Sequence, residues 1–527
     1  MQDYDDATAF LGHWGPFQQS VFFLLGASIL PNGFGAFSLV FLTDMPSHHC
    51  LVPEVNLTQE WNEVVNGKQE LSSCSRYRLD VVRNLSAQGY IPGRDVNLTD
   101  LEQEDCVDGW SYSKDIYRST IVSEFDLVCG EQWKQPFTST IYFLGVLAGS
   151  FISGQVSDRF GRKPVLFATL AIQTIFSFVG IFAPSWTVLS IILFISGLGQ
   201  ISNYVSAFVL GKLILNRRPL SNCSLVASAF LFSKLFSVFV QALKSWLAMC
   251  VSCSHLWVFI PESPRWLLTQ GRVEEAEAIV RHAAKKNKVE APQVLFEDYN
   301  YAGSEIVPKH YNVFYLLRTT NIRNTTVTLC LVFTVSIGYF GLSLNTSRLH
   351  ANPYLSCFIA AAVEVPSYIS SWLALRYLPR RLSVICVLLL GGVSLYFVQL
   401  VPQGLSYLSI ALEMLGKYGL TACTSLIFVY TAELYPTVLR NTATGVCATL
   451  SRVGSCIAPF VFELSVYFKY LPYIMLGTLA IVSAFATFFL PESFGRPLPQ
   501  TIEQMHKKER KKQSSGVEET KILADAI

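Results

Sequence analysis

Gly154-Gln155-Val156-Ser157-Asp158-Arg159-Phe160-Gly161-Arg162-Lys163 joins two long apolar runs, and the reading of these ten residues decides the fold. Three basic side chains, one acid and glycines at the bends can pin two helix ends together at a membrane surface. The aspartate complements helix N-termini, while the arginines and the lysine stay on the positive side. A basic loop following any membrane helix would not need Gly154, Asp158, Arg159, Gly161, Arg162 and Lys163 at these offsets.

The rest of the composition agrees with a membrane turn. The chain has 527 residues, of which 51% are hydrophobic and 15% charged, with 37 phenylalanines. That balance fits a bundle of membrane helices, with the lipid bilayer as its surroundings, better than a soluble domain. The formal net charge is +2, and the basic residues sit between apolar runs instead of forming a stripe, so no nucleic-acid partner is expected.

In chain order, residues 1–16 form a cytoplasmic N-terminus with Asp3, Asp5 and Asp6 but no lysine or arginine. They lack the basic start of a cleavable signal peptide, so the first span, residues 17–42, is expected to be an uncleaved anchor. Pro31-Asn32-Gly33 interrupts it, and the sequence leaves Asn32 either as part of a kink or as a ligand or ion contact. Residues 43–135 are polar and carry sequons at Asn56, Asn84 and Asn97 with Cys50, Cys74, Cys106 and Cys129. These mark a glycosylated, disulfide-bonded extracellular or lumenal loop; four cysteines allow three pairings, and sequence does not choose.

Spans two to six are expected within residues 136–260, beginning at 136–156, 165–184 and 187–210. The fourth holds Gln200, Asn203 and Tyr204 beside Ser196-Gly197-Leu198-Gly199, a polar group too dense for lipid that serves either interhelical hydrogen bonds or a cavity wall. Residues 261–323 read as a cytoplasmic helical loop. The second half, residues 324–490, has spans at 324–344, 354–376, 382–402, 405–432, 441–466 and 469–490, followed by a basic cytoplasmic tail at 491–527. Pro261-Glu262-Ser263 and Pro491-Glu492-Ser493 each follow six candidate spans. Leu378-Pro379-Arg380-Arg381 weakly repeats the turn at Asp158. Two six-helix halves with shared punctuation imply a duplicated transporter fold.

The turn resembles the GxxxDRxGRK signature of the major facilitator superfamily. With the long first loop, Pro261 to Trp266, and Thr431-Ala432-Glu433-Leu434-Tyr435-Pro436-Thr437 with Arg440-Asn441, the resemblance narrows to the organic ion transporter family. Pro31-Asn32-Gly33-Phe34, Gly199 to Tyr204, Gly338-Tyr339-Phe340 and Ser451 to Ser455 are similar to its organic cation/carnitine (OCTN) group. The resemblance implies an all-α, twelve-helix major facilitator fold with an extracellular loop domain after helix 1. It also implies a gating role for the Gly154–Lys163 turn and secondary-active transport by alternating access.

The site can be argued from the residues. Glu364 and Arg452 are ionisable groups inside apolar spans, each costing about 3 kcal/mol to insert, so each must face a cavity or a partner. Pairing with each other, or with helix ends, competes with a substrate role. The resemblance favours a substrate role: cation transporters of the family tend to carry an acid where Arg452 stands. An anion and a cation in one cavity suit a zwitterion, carnitine being the leading expectation, with another zwitterion, an organic cation or an organic anion as alternatives. A quaternary ammonium is attracted to ring faces, which nominates Tyr204, Tyr339, Phe340, Phe428 and Tyr430 beside Gln200, Asn203 and Asn32.

Cys250-Val251-Ser252-Cys253 is a lone CxxC without a second pair, and no phosphate-binding GxxxxGK[ST] string occurs. No enzyme chemistry, metal site or cofactor is expected beyond sodium or proton coupling. The terminal Asp525-Ala526-Ile527 could add a strand to a PDZ groove. A multi-pass protein of the plasma membrane is expected, with an internal membrane as the alternative.

Between Gly211 and Ile260 the resemblance fails, and helices 5 and 6 are atypical. Residues 225–243 contain Lys234, and residues 245–260 are short for a 30 Å core. Parity with the positive-inside pattern demands two crossings here or none. Two short tilted or re-entrant segments are therefore expected, with weakened or silent transport.

Overall fold

The computed structural model describes residues 8–12, 15–51, 61, 73–98, 101–214, 259–292, 296, 320–348, 353–402, 404–435 and 437–494. In lipid every backbone polar group must be paired within its own segment, and the apolar runs accordingly form long helices. The first half contributes α1 (Pro16–Leu42), α3 (Lys134–Phe160), α4 (Arg162–Gly180) and α5 (Trp186–Ile214); α2 (Leu79–Ala87) belongs to the loop between α1 and α3. A polar, charged helix, α6 (Val273–Asn287), precedes α7 (Thr320–Phe333), α8 (Ser336–Leu344), α9 (Pro353–Tyr377), α10 (Arg380–Phe397), α11 (Ser406–Leu434), α12 (Thr437–Glu463) and α13 (Leu471–Thr487). Among the described residues, seven helices are long and apolar enough to cross a membrane. Nearly all of the sequence expected to form the fifth and sixth spans lies outside the described residues.

Two expectations about the spans change. Helix α1 runs unbroken through Pro31-Asn32-Gly33, where interruption was expected; the Asn32 carbonyl takes an outside donor, Gln200 Nε2 at 2.6 Å. The seventh span does break, between α7 and α8. There Val335 N, Ile337 N and Gly338 N bond three residues back, to Val332, Thr334 and Val335, which tightens the turn and re-aims Tyr339 and Phe340.

Close approach within the first half rests on small residues. A Cβ on Gly145 would sit 2.0 Å from the Phe194 carbonyl, and one on Gly197 2.3 Å from that of Tyr142, so α3 and α5 touch backbone to backbone. The second half has its own core, centred on Leu329, Leu388, Leu395 and Leu420.

Outside the bundle, β1 (His48–Cys50) pairs antiparallel with β4 (Trp110–Tyr112), and β2 (Ser75–Tyr77) with β3 (Gln103–Asp105). Disulfides Cys50–Cys106 and Cys74–Cys129 choose one of the three open pairings. Buried Arg76 ties the ribbons together through Glu104 at 2.9 Å, Asp108 at 2.7 Å and the Leu51 carbonyl at 2.8 Å. Asn84 and Asn97 are exposed; Asn56 lies outside the described residues.

The two halves meet at the end of the bundle next to the loop between α1 and α3. Thr140 Oγ1 donates to the Cys456 carbonyl at 3.0 Å, Phe143 and Phe340 pack edge-on at 5.4 Å, and Phe41 meets Tyr354 at 5.2 Å. The loop reaches both halves: Tyr117 donates to Asp44 at 2.8 Å, and its ring lies 6.0 Å from that of Tyr354. Burial and the neighbouring Asp44 charge push the Tyr117 hydroxyl well above its ordinary range, so it remains a donor. These bonds and ring contacts join the two halves at the end of the bundle next to the loop.

Candidate functional site

Arg452 stands near the middle of α12, half-buried, with Tyr204, Tyr339 and Tyr142 within electrostatic reach. No carboxylate lies within ion-pair distance of it among the described residues. A guanidinium inside an apolar span needs a cavity or polar neighbours, and the three tyrosines are such neighbours. The break before α8 sets Tyr339 against it. Tyr339 also donates to Glu364 Oε2 at 3.5 Å, bonds Tyr368, and packs edge-on to Phe340 at 5.1 Å.

Glu364 is 1% exposed and does not pair with Arg452. Its partner is Lys417 on α11, with Nζ 3.4 Å from Oε1 and no side-chain exposure. The expected arrangement, with Glu364 offering net negative charge to an ammonium, is corrected by this lysine. One acid and one base cancel, and Arg452 is left as the net charge of the cluster.

The polar residues of α5 make ties between helices. Asn32 Nδ2 donates to Asn203 Oδ1 at 2.9 Å, Asn203 Nδ2 to the Leu166 carbonyl at 3.1 Å, and Tyr142 hydroxyl to Gln200 Oε1. These bonds join α1, α3, α4 and α5, and all three amides are buried. The sequence left interhelical bonding and cavity lining open for Gln200 and Asn203; the geometry is the former. Tyr204, one residue on, is half-buried and near Arg452.

Two nominated aromatics lie elsewhere. Tyr430 is fully buried and donates to the Pro491 carbonyl at 2.7 Å, at the cytoplasmic end. Phe428 packs edge-on against Phe333 at 5.0 Å and is 43% exposed. Neither contacts the Arg452 cluster. Helical rotation explains both: an aromatic in a span can point to any side, and periodicity alone does not say which faces inward.

The cytoplasmic turn is built twice. Glu262 accepts from the backbone N–H of Arg162 at 3.2 Å and of Lys163 at 3.0 Å. In the second half Glu492 accepts from Arg380 at 2.9 Å and Arg381 at 3.1 Å. Each Pro-Glu-Ser thus places a carboxylate on the free N–H groups that begin α4 and α10. Trp266 Nε1 donates to the Asp158 carbonyl at 2.9 Å, and Arg162 pairs with the Asp158 carboxylate at 2.6 Å.

A family model described as Major Facilitator Superfamily matches residues 133–459. The rat organic cation/carnitine transporter 2 is 51% identical over 524 residues, covering 96% of this chain and 94% of the relative. The human protein of that name is 49% identical over 544 residues, covering 100% and 98%. The chain belongs to the organic cation/carnitine transporter group of the major facilitator superfamily. An inward open structure of the xylose transporter XylE from E. coli superposes with a TM-score of 0.56 at 14% identity, covering 91% of this chain and 98% of that one. At that identity the likeness concerns the fold alone.

The major facilitator fold of this chain supports transport by alternating access. Sequence reasoning missed Lys417, although the rule that found Glu364 and Arg452, an ionisable group in an apolar span, applies to it equally. Tyr142 and Tyr368 carried no comparable signal.

Proposed function

We propose that this transporter moves a small zwitterion bearing a carboxylate and a quaternary ammonium, carnitine foremost, by alternating access. The observation that carries the reading is Arg452: a half-buried guanidinium ringed by Tyr142, Tyr204 and Tyr339, with the nearby acid already neutralised by Lys417. The guanidinium receives the carboxylate through paired N–H donors. The ammonium, which cannot donate, rests on the ring faces of Tyr204 and Tyr339. Relatives named for carnitine and organic cations support the substrate class.

The reading extends to sodium or proton coupling. Asn32 Oδ1, which has no donor among the described residues, is an acceptor open to a coupling ion. It also extends to residence in the plasma membrane and to glycans on Asn84 and Asn97. The terminal residues proposed for a PDZ partner lie outside the described residues.

Uptake of radiolabelled carnitine into vesicles, with and without sodium, tests this. Arg452→Ala loses a charge-assisted contact and should lower uptake roughly 10- to 100-fold at unchanged surface level. Normal uptake by that variant would overturn the reading.

A further inference from the structure

Lys417 is the buried charge that neutralises Glu364 in the reading above. It sits on α11, has no exposed side-chain surface, and lies 3.4 Å from Glu364 on α9. Its position is built by the neighbouring residues. Ser367 Oγ donates to the Tyr418 carbonyl at 3.1 Å, Tyr418 hydroxyl to Ser370 Oγ at 2.7 Å, and Ser371 Oγ to the Ala422 carbonyl at 3.4 Å. A row of serines along α9 therefore holds α11 close, directly beside the ion pair. The other oxygen of Glu364 meets Tyr339, which belongs to the ring around Arg452. Glu364 is thus one side chain away from the cavity, and Lys417 lies behind it.

We infer that Lys417 sets the charge preference of the cavity: it neutralises Glu364, so that Arg452 dominates and a cargo without a carboxylate is disfavoured. The inference rests on the reading that Arg452 faces the carboxylate. Lys417 touches no substrate and acts through Glu364, as a positioning and specificity residue. With the pair intact the group carries one net positive charge; without Lys417 it carries none, and without Glu364 it carries two. Both cargoes carry the ammonium, so the difference lies in the carboxylate: a unit charge about 10 Å from it, at an effective dielectric of about 20, shifts relative binding roughly tenfold.

The test is a charge cycle in the full-length protein reconstituted in vesicles. It reads the ratio of carnitine uptake to uptake of tetraethylammonium, a quaternary cation with no carboxylate. Lys417→Gln should lower the ratio about tenfold and Glu364→Gln should raise it about tenfold. The double variant, which restores one net charge, should return it to near the parental value. A merely structural pair would weaken both substrates alike in both single variants.

Breaking a buried pair is strongly destabilising, so Lys417→Gln can fail to accumulate. In that case Glu364→Gln against the double variant decides, since removing Lys417 on that background must lower the ratio about tenfold. Equal ratios in those two, or single variants shifting the same way, overturn the inference. Arg452→Gln separates the two claims. If it keeps the parental ratio, the reading of Arg452 itself fails; if it collapses the ratio while the charge cycle stays flat, only the role of Lys417 fails.

Discussion

Gly161 has φ +99° and ψ 160°, a region that only glycine occupies without strain. A Cβ there would lie 2.8 Å from Glu262 Oε2 and 3.1 Å from the Trp266 ring. Gly161→Ala therefore costs about 1–3 kcal/mol in backbone strain and also pushes the capping carboxylate off α4. A lower melting temperature of the purified protein and several-fold slower uptake are expected, and an unchanged melting temperature would show that the cap does not depend on this glycine. The sequence made this position legible, because the spacing of Gly161 after Asp158 was itself the signal. The facing of single side chains was less so. Glu364 and Arg452 stand out because charge in an apolar run demands a reason, but the choice between Arg452 and Lys417 as the partner of Glu364 depends on how α9, α11 and α12 are rotated. For the same reason Tyr430 reads like a cavity aromatic and instead bonds Pro491.

At the scale of elements, the repeated Pro-Glu-Ser was visible as punctuation, while its physical job was not. Only contact across a hundred residues shows that Glu262 and Glu492 cap α4 and α10. The break between α7 and α8 was equally silent, since nothing in Phe333-Thr334-Val335-Ser336 forbids a continuous helix. The Asp158–Arg162 pair shows why the turn matters to motion. Asp158 is 74% exposed, and an exposed pair contributes at most about 1 kcal/mol, so the carboxylate stabilises this arrangement little. The gating reading of the turn places its weight in the conformational change instead. Asp158→Asn should accordingly cut turnover at saturating carnitine several-fold while half-saturation stays within about twofold. Parental turnover would remove the turn from the transport cycle, and a change confined to half-saturation would place it in binding instead.

For the whole molecule, the major facilitator fold and the disulfide-bonded loop after α1 were legible, because bilayer thickness and the secretory lumen act on composition rather than on contacts. The contact of the halves at Thr140 and Cys456 was not, since it depends on how α3 and α12 are rotated. Residues 215–258 lie outside the described residues, so the expectation for the fifth and sixth helices stands on sequence alone. Lys234 sits mid-run, and residues 245–260 are short for a 30 Å core. The alignment to the human relative runs to 544 positions against 527 residues here, so part of the relative has no counterpart in this chain. Alternating access needs both halves to pack as rigid bodies, and the sequence expectation for residues 211–260 is a poorly packed first half, whereas Arg452, Glu364 and Lys417 lie on the second. The expected outcome is carnitine uptake several-fold below that of a chimera carrying the human relative's fifth and sixth helices, with less protein at the cell surface by biotinylation. Because the charge group lies on α9, α11 and α12, the preference for carnitine over tetraethylammonium should be the same in both proteins. Equal uptake and equal surface level would show that the short segment is no defect, and a changed preference would mean that the fifth helix contributes to the substrate site.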